Sequence, residues 1–126
     1  MIKTILHSIA VLGVMSAPAF AEGDAKKGER VFNKCKACHA VGDDAKNKVG
    51  PILNGVIGAE FGHVEDFKYS KALMEKAEEG LVWDEETLSA YLTDPKEVIP
   101  AGSMSFAGLR KEEDVANVIA FLAQYE

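Results

Sequence analysis

Both cysteines of the chain lie in one short stretch, Cys35-Lys36-Ala37-Cys38, and His39 follows directly. Two thiols and an imidazole spaced this closely can converge on a single centre, and the rest of the chain must fold around it. Three chemistries use such a spacing. A thioredoxin-like redox dithiol needs a βαβ setting around the pair. A closed structural zinc site takes four Cys or His ligands. Covalent haem attachment uses the two thiols to add to porphyrin vinyl groups, with the adjacent histidine held under the iron as an axial ligand. The two side chains between the cysteines do not choose among these.

The start of the chain bears on the choice. Lys3 is followed by an apolar stretch from Ile5 to Ala17, broken by His7, Ser8 and Ser16, and then by Pro18 and Ala19-Phe20-Ala21. A charged start, a short apolar run and an A-x-A pattern predict a secretory leader over 1–21, cleaved before Glu22. The run falls short of the ~20 residues of a spanning helix, so no membrane anchor is expected. Residues 22–126 then form one domain with little core for its surface, a size that favours a staple. A disulfide between Cys35 and Cys38 would close too small a loop to stabilise much. A cofactor is the better staple. After cleavage 13 basic side chains face 20 acidic ones, and a net negative field argues against a nucleic-acid partner.

Helix signals recur along the mature chain. Asp24 is a candidate N-cap for a helix from Ala25 to about Lys36, with Val31, Phe32 and Cys35 on one face. From Val41 to Gly62, frequent glycine with Pro51 and Asn54 predicts an extended loop, of a length that usually wraps a ligand. Ser70 caps a predicted helix over 71–79 that Gly80 closes, and Asp84 caps another that Asp94-Pro95 ends. Residues 99–104 form a predicted loop. A last helix begins near Lys111 with an acidic first turn, which suits the helix dipole, and buries Val115, Val118, Ile119 and Leu122. No strand alternation of useful length is present. The expected class is all-α. That removes the βαβ setting of a dithiol, and His63 alone remains as a fourth ligand for zinc.

With haem as the leading reading, a second axial ligand is needed. The candidates are His63, Met74 and Met104. Met74 falls in a helical run, where a methionine is more often core. His63 has the setting of a solvated surface histidine. Met104 stands alone in a loop shaped by Pro100 and Gly102, between Ser103 and Ser105, where a flexible thioether can reach over a haem face. His39 and Met104 are therefore the expected iron ligands. Thioether ligation favours Fe(II) and raises the potential. Two strong protein ligands leave no open position for oxygen or peroxide, which describes a one-electron carrier and not an enzyme.

From Gly23 to Tyr125 the chain resembles class I cytochrome c, in particular the bacterial exported group close to mitochondrial cytochrome c. The resemblance rests on "GERVFNKCKACH", "KVGPILNGVIG", "GLVWDEETLSAYLTDPKEVIPAGSM" and "VIAFL". It implies a fold with N- and C-terminal helices packed together, two or three shorter helices, and long loops around one covalent haem c. It also implies roles. Pro51 would accept the His39 Nδ1 proton through its carbonyl. Tyr69 and Trp83 would donate to a haem propionate, and Tyr91 would reach the Met104 sulfur. Gly28 and Phe32 would meet Val118 and Phe121, while Leu53, Leu88, Leu92 and Phe106 would wall the haem. Three positions depart from the family pattern: Ala59 where many relatives carry arginine, Leu73 where mitochondrial forms carry asparagine, and Gly102 where they carry threonine.

The resemblance further implies docking by a ring of cations, here Lys34, Lys46, Lys48, Lys96, Arg110 and Lys111, with Glu97 and Ser103 replacing two others. Glu75, Glu78, Glu79, Asp84, Glu85 and Glu86 are concentrated elsewhere, which predicts a basic front and an acidic back. The implied role is a monomeric periplasmic carrier, taking electrons from a quinol-oxidising membrane complex to an oxidase or photosynthetic reaction centre. A second implied role is a dedicated donor to a soluble reductase, peroxidase or dehydrogenase.

Overall fold

Short polar side chains set the helix starts in the structure, a computed structural model whose described residues are 22–126. The expected leader and its cleavage point lie outside the described residues. The Asp24 carboxylate accepts from the backbone N–H groups of Lys26 and Lys27 at 2.9 and 3.1 Å and opens α1, Ala25–Phe32. Those bonds, the one from Lys27 foremost, hold the Asp24 carboxyl below its usual range. The Ser70 hydroxyl accepts from Leu73 N–H and opens α2, Lys71–Glu78. Asp84 accepts from Thr87 N–H at 2.7 Å and opens α3, Glu85–Thr93. A short helix not expected from the sequence, α4, spans Pro95–Val98, with Pro95 in its first turn, where a missing N–H costs nothing. α5, Glu112–Leu122, has no side-chain cap, but Glu112, Glu113 and Asp114 occupy its first turn.

The end of α1 also differs from expectation. The helix stops at Phe32, short of Lys36. Beyond it, Asn33, Lys34 and Cys35 donate back three residues, to Arg30, Val31 and Phe32. Such tight turns wind the chain more sharply than an α-helix, and they turn the cysteine stretch off the α1 axis.

α1 packs across α5. A side chain at Gly28 would overlap the backbone carbonyl of Asn117 and reach within 2.8 Å of Phe121 Cβ, so glycine sets the approach of the two backbones. Phe32 and Phe121 meet at 5.1 Å between ring centres. Asn117 is the buried polar residue of this crossing, and its Oδ1 accepts from Asp24 N–H at 2.8 Å. Val118 and Ile99, each 1 % exposed, are the best-buried side chains of the core.

The class is all-α. Among the described residues the nearest approach to a sheet is one isolated antiparallel bridge, Glu60 with Val82. Flanking bonds from Phe61 N–H to Leu81 and from Trp83 N–H to Ala59 fasten the long loop beside Trp83. The 41–62 stretch is a loop, as its glycines predict.

Candidate functional site

His39 sits where two loops meet. Its Nδ1 is 2.7 Å from the Pro51 carbonyl, a bond that places the proton on Nδ1 and leaves the Nε2 lone pair free to ligate. Burial lowers the imidazole's pKa, and the Pro51 bond partly opposes this. Gly50 completes the cradle. A Cβ there would run into His39 Cε1 and stand 2.8 and 2.9 Å from the two ring nitrogens. Gly50 N–H also donates to the Cys38 carbonyl at 2.9 Å. The role of Gly50 is not apparent from sequence motifs alone. Its position beside Pro51 is the signal that points to one.

Cys35 and Cys38 are free, half-buried thiols. Burial pushes the Cys35 thiol up, with Lys34 opposing, so it stays protonated.

Met104 lies on an extended stretch with alternating exposure. Gly102, Met104, Phe106 and Gly108 are half-buried, while Ala101, Ser103, Ser105 and Ala107 are exposed. Period-two alternation puts Met104 and Phe106 on the same inward side. The Tyr91 hydroxyl, from α3, stands 3.6 Å from the Met104 sulfur. Burial pushes that hydroxyl up to about 12, which keeps it a donor. Lys96, on α4, donates to the Gly102 carbonyl at 2.7 Å. The resemblance implies only docking for this lysine, and the structure adds a tie to the Met104 loop.

Met74, the other methionine in question, is 42 % exposed, not core as its helical spacing suggests. Its sulfur covers Gly62. Trp83 is buried between Phe61, stacked at 3.7 Å between ring centres, and Tyr91 at 4.8 Å. The Tyr69 hydroxyl accepts from Val64 N–H at 3.0 Å, and burial raises its pKa. His63 departs from its surface reading: both ring nitrogens are buried and neither has a hydrogen-bond partner. Leu88 is in the core, and Leu53, Leu92 and Phe106 pack partly buried against it.

All six expected docking cations are exposed. Among the described residues the ion pair present is Lys76 with Glu79, so none of the six is paired with a carboxylate.

These residues fit a covalent haem. The thiols are unpaired, the imidazole presents one oriented lone pair from a glycine cradle that a side chain would fill, and a thioether on the inward side of its loop meets a half-buried phenol. Among the described residues no helix is long and apolar enough to cross a membrane.

The family described as cytochrome c matches residues 25–126. Cytochrome c2 of Rhodomicrobium vannielii is 50% identical over 118 residues, covering 91% of this chain and 92% of its own. The structure of cytochrome c2 from Rhodospirillum centenum superposes with a TM-score of 0.78 at 40% identity, over 82% of this chain and 98% of its own. Cytochrome cH from Methylobacterium extorquens gives 0.73 at 41% identity, over 81% and 99%. Match length, identity and shared architecture lead to one conclusion: the chain belongs to the cytochrome c family.

Proposed function

We propose that this protein is a soluble periplasmic one-electron carrier with a single haem c, attached through Cys35 and Cys38 and ligated by His39 and Met104. The haem, when bound, supplies the reversible one-electron couple. The chain's own residues supply the rest. Pro51 holds the proton on His39 Nδ1 and Gly50 leaves room for the ring. Tyr91 holds the Met104 sulfur inward. Each ligand comes from its own loop with its orientation already fixed, so little has to move on electron gain or loss. The observation that carries the reading is this pair of pre-oriented ligands, the His39–Pro51 bond on one side and the Tyr91–Met104 contact on the other. It makes a carrier rather than a catalyst.

The proposed route runs from a quinol-oxidising membrane complex to an oxidase or reaction centre, with the six exposed cations meeting acidic surfaces on each. Residues 1–21 are the export leader in this reading, and the mature chain starts at Glu22.

Carbon monoxide tests the iron site. The reduced wild-type protein should show no spectral change on adding the gas at neutral pH. Met104→Ala should bind it and lose the sulfur-to-iron band. An unchanged Met104→Ala spectrum would remove Met104 from the site. Mass measurement of the N-terminus of protein taken from the periplasm tests the leader.

A further inference from the structure

Residues 39–42 and 51–54 run side by side, joined by a short series of hydrogen bonds. Gly50 N–H donates to the Cys38 carbonyl at 2.9 Å, His39 Nδ1 to the Pro51 carbonyl at 2.7 Å, and Leu53 N–H to the Ala40 carbonyl at 3.1 Å. The last join in the series is made by a side chain. Asn54 Oδ1 accepts from Gly42 N–H at 3.1 Å, and Asn54 Nδ2 donates to the Gly42 carbonyl at 3.0 Å. A backbone N–H can only donate and a carbonyl can only accept, so Gly42 fixes which end of the amide is which. One short side chain thus holds both backbone groups of one residue. The sequence marks Asn54 only as a loop residue.

The two segments are not equally anchored. Beyond Asn54 the chain is tied to the C-terminal end, Gly55 N–H donating to the Tyr125 carbonyl at 2.6 Å. On the other side, among the described residues, the hydrogen bonds that leave 41–46 all go to Asn54. Val41 adds an apolar contact with the core, which fixes no hydrogen-bond geometry. Gly42 turns at φ +112°, in the region that favours glycine, and a Cβ there would meet nothing within 4 Å. Freed of Asn54, this turn has room to swing out. The Ala40–Leu53 bond is the next to feel it, and the His39–Pro51 bond lies directly behind.

We infer that Asn54 is a positioning residue for His39: its amide clamps Gly42 and so keeps the Pro51 carbonyl seated on the His39 Nδ1 proton. This rests on the haem ligation proposed above. A firm bond from Nδ1–H to a carbonyl raises the basicity of the ligating nitrogen. A more basic ligand favours ferric iron, so Asn54 holds the potential down, opposite in sense to the Met104 thioether.

The test uses the whole holoprotein. Mass and the absorption bands first establish haem on Cys35 and Cys38 with both axial ligands. Without them the carrier reading and this inference fall together; with them, the measurements below bear on Asn54 alone. In the reduced protein with 15N-labelled histidine, the His39 Nδ1 proton should exchange with water faster in Asn54→Ala than in wild type. Losing the His39 partner outright would cost 10–100-fold by the usual effect of such groups, and loosening it should shift the redox equilibrium with a fixed mediator toward ferrous by about two- to fivefold. Asn54→Asp keeps only acceptor oxygens at neutral pH and should match Asn54→Ala. Below about pH 4 its carboxyl carries a proton to donate, and the equilibrium should return toward that of wild type at the same pH. Asn117→Ala, at the α1–α5 crossing, should lower the melting midpoint and leave both readings at wild type. If Asn54→Ala lowers the midpoint while the ring proton and the redox equilibrium stay at wild type, Asn54 is structural only and the inference fails. It fails equally if Asn117→Ala moves both readings as far. Should Asn54→Ala not load haem, wild-type hydrogen exchange decides: the Gly42 amide and the His39 ring proton should open with the same free energy, and a ring proton that exchanges while the Gly42 amide stays protected overturns the inference.

Discussion

At the scale of single residues, Gly50 carries more of the site than its size suggests. Alanine there would place a methyl against the His39 ring, whose own position is set by the Pro51 carbonyl. A ring held this way cannot swing aside cheaply. Gly50→Ala should cost about 1–3 kcal/mol, the usual range for overpacking, and should lower haem loading, both readable by denaturant melts and absorbance of purified protein. Tyr91 gives a second outcome. Its hydroxyl titrates at about 12 in the fold and near 10 when unfolded. The folded pKa is the raised one, so the neutral phenol's contribution is complete below pH 10 and is lost as pH rises toward 12. Unfolding free energy measured across that window should fall, and Tyr91→Phe should flatten the fall. The proposed ligands are legible in the sequence because a covalent motif and a lone loop methionine are local facts. Gly50 and His63 are not, since what a glycine leaves room for, or which way an imidazole faces, depends on segments far along the chain.

At the scale of elements, the starts of α1, α2 and α3 are legible because Asp24, Ser70 and Asp84 act on N–H groups two or three residues away. The early end of α1 is not, because Asn33 to Cys35 form 3₁₀-like turns that no helix breaker announces. The buried Asn117 is likewise invisible in an apolar stripe, although it joins α5 to the start of α1. Asn117→Ala leaves Asp24 N–H without its acceptor and should cost about 1–3 kcal/mol, seen as a lower melting midpoint. The ligand loop depends on fewer ties still. Among the described residues, the hydrogen bonds of 100–108 are Gly102 N–H to Ile99, Lys96 to Gly102 and Tyr91 to Met104. Lys96→Met removes one of the two side-chain ties while keeping most of the side chain's length. An exposed bond of this kind contributes up to about 1 kcal/mol, so imidazole should displace the Met104 sulfur up to about fivefold faster in stopped-flow mixing. An unchanged rate would show that the tie does not restrain the loop.

At the scale of the whole molecule, a chain of net charge −6 is proposed to dock through cations. Net charge governs solubility and long-range repulsion, while docking depends on the local field. Lys34, Lys46, Lys48, Lys96, Arg110 and Lys111 are exposed and lack carboxylate partners among the described residues, so an incoming acidic surface need not break any internal ion pair to reach them. Two are also held in place, Lys48 through the Lys36 carbonyl at 3.0 Å and Lys96 through Gly102 at 2.7 Å. Cations already oriented lose less conformational freedom on docking than free lysine chains would. In the proposed arrangement the exposed acids of α2 and the first turn of α3 form the opposite pole and turn the molecule as it approaches. Electrostatic steering of this kind is screened over a Debye length of about 8 Å at physiological ionic strength. The bimolecular rate of electron transfer to an isolated quinol-oxidising complex should therefore fall by about tenfold or more between low and physiological salt. Reversing Lys34 to Glu should lower the low-salt rate and flatten its salt dependence. Reversing Glu78 to Lys, in the acidic pole, should change both far less. A rate that stays flat or climbs with salt would exclude the basic-front arrangement, and equal effects of the two reversals would show that net charge, not its placement, governs the encounter.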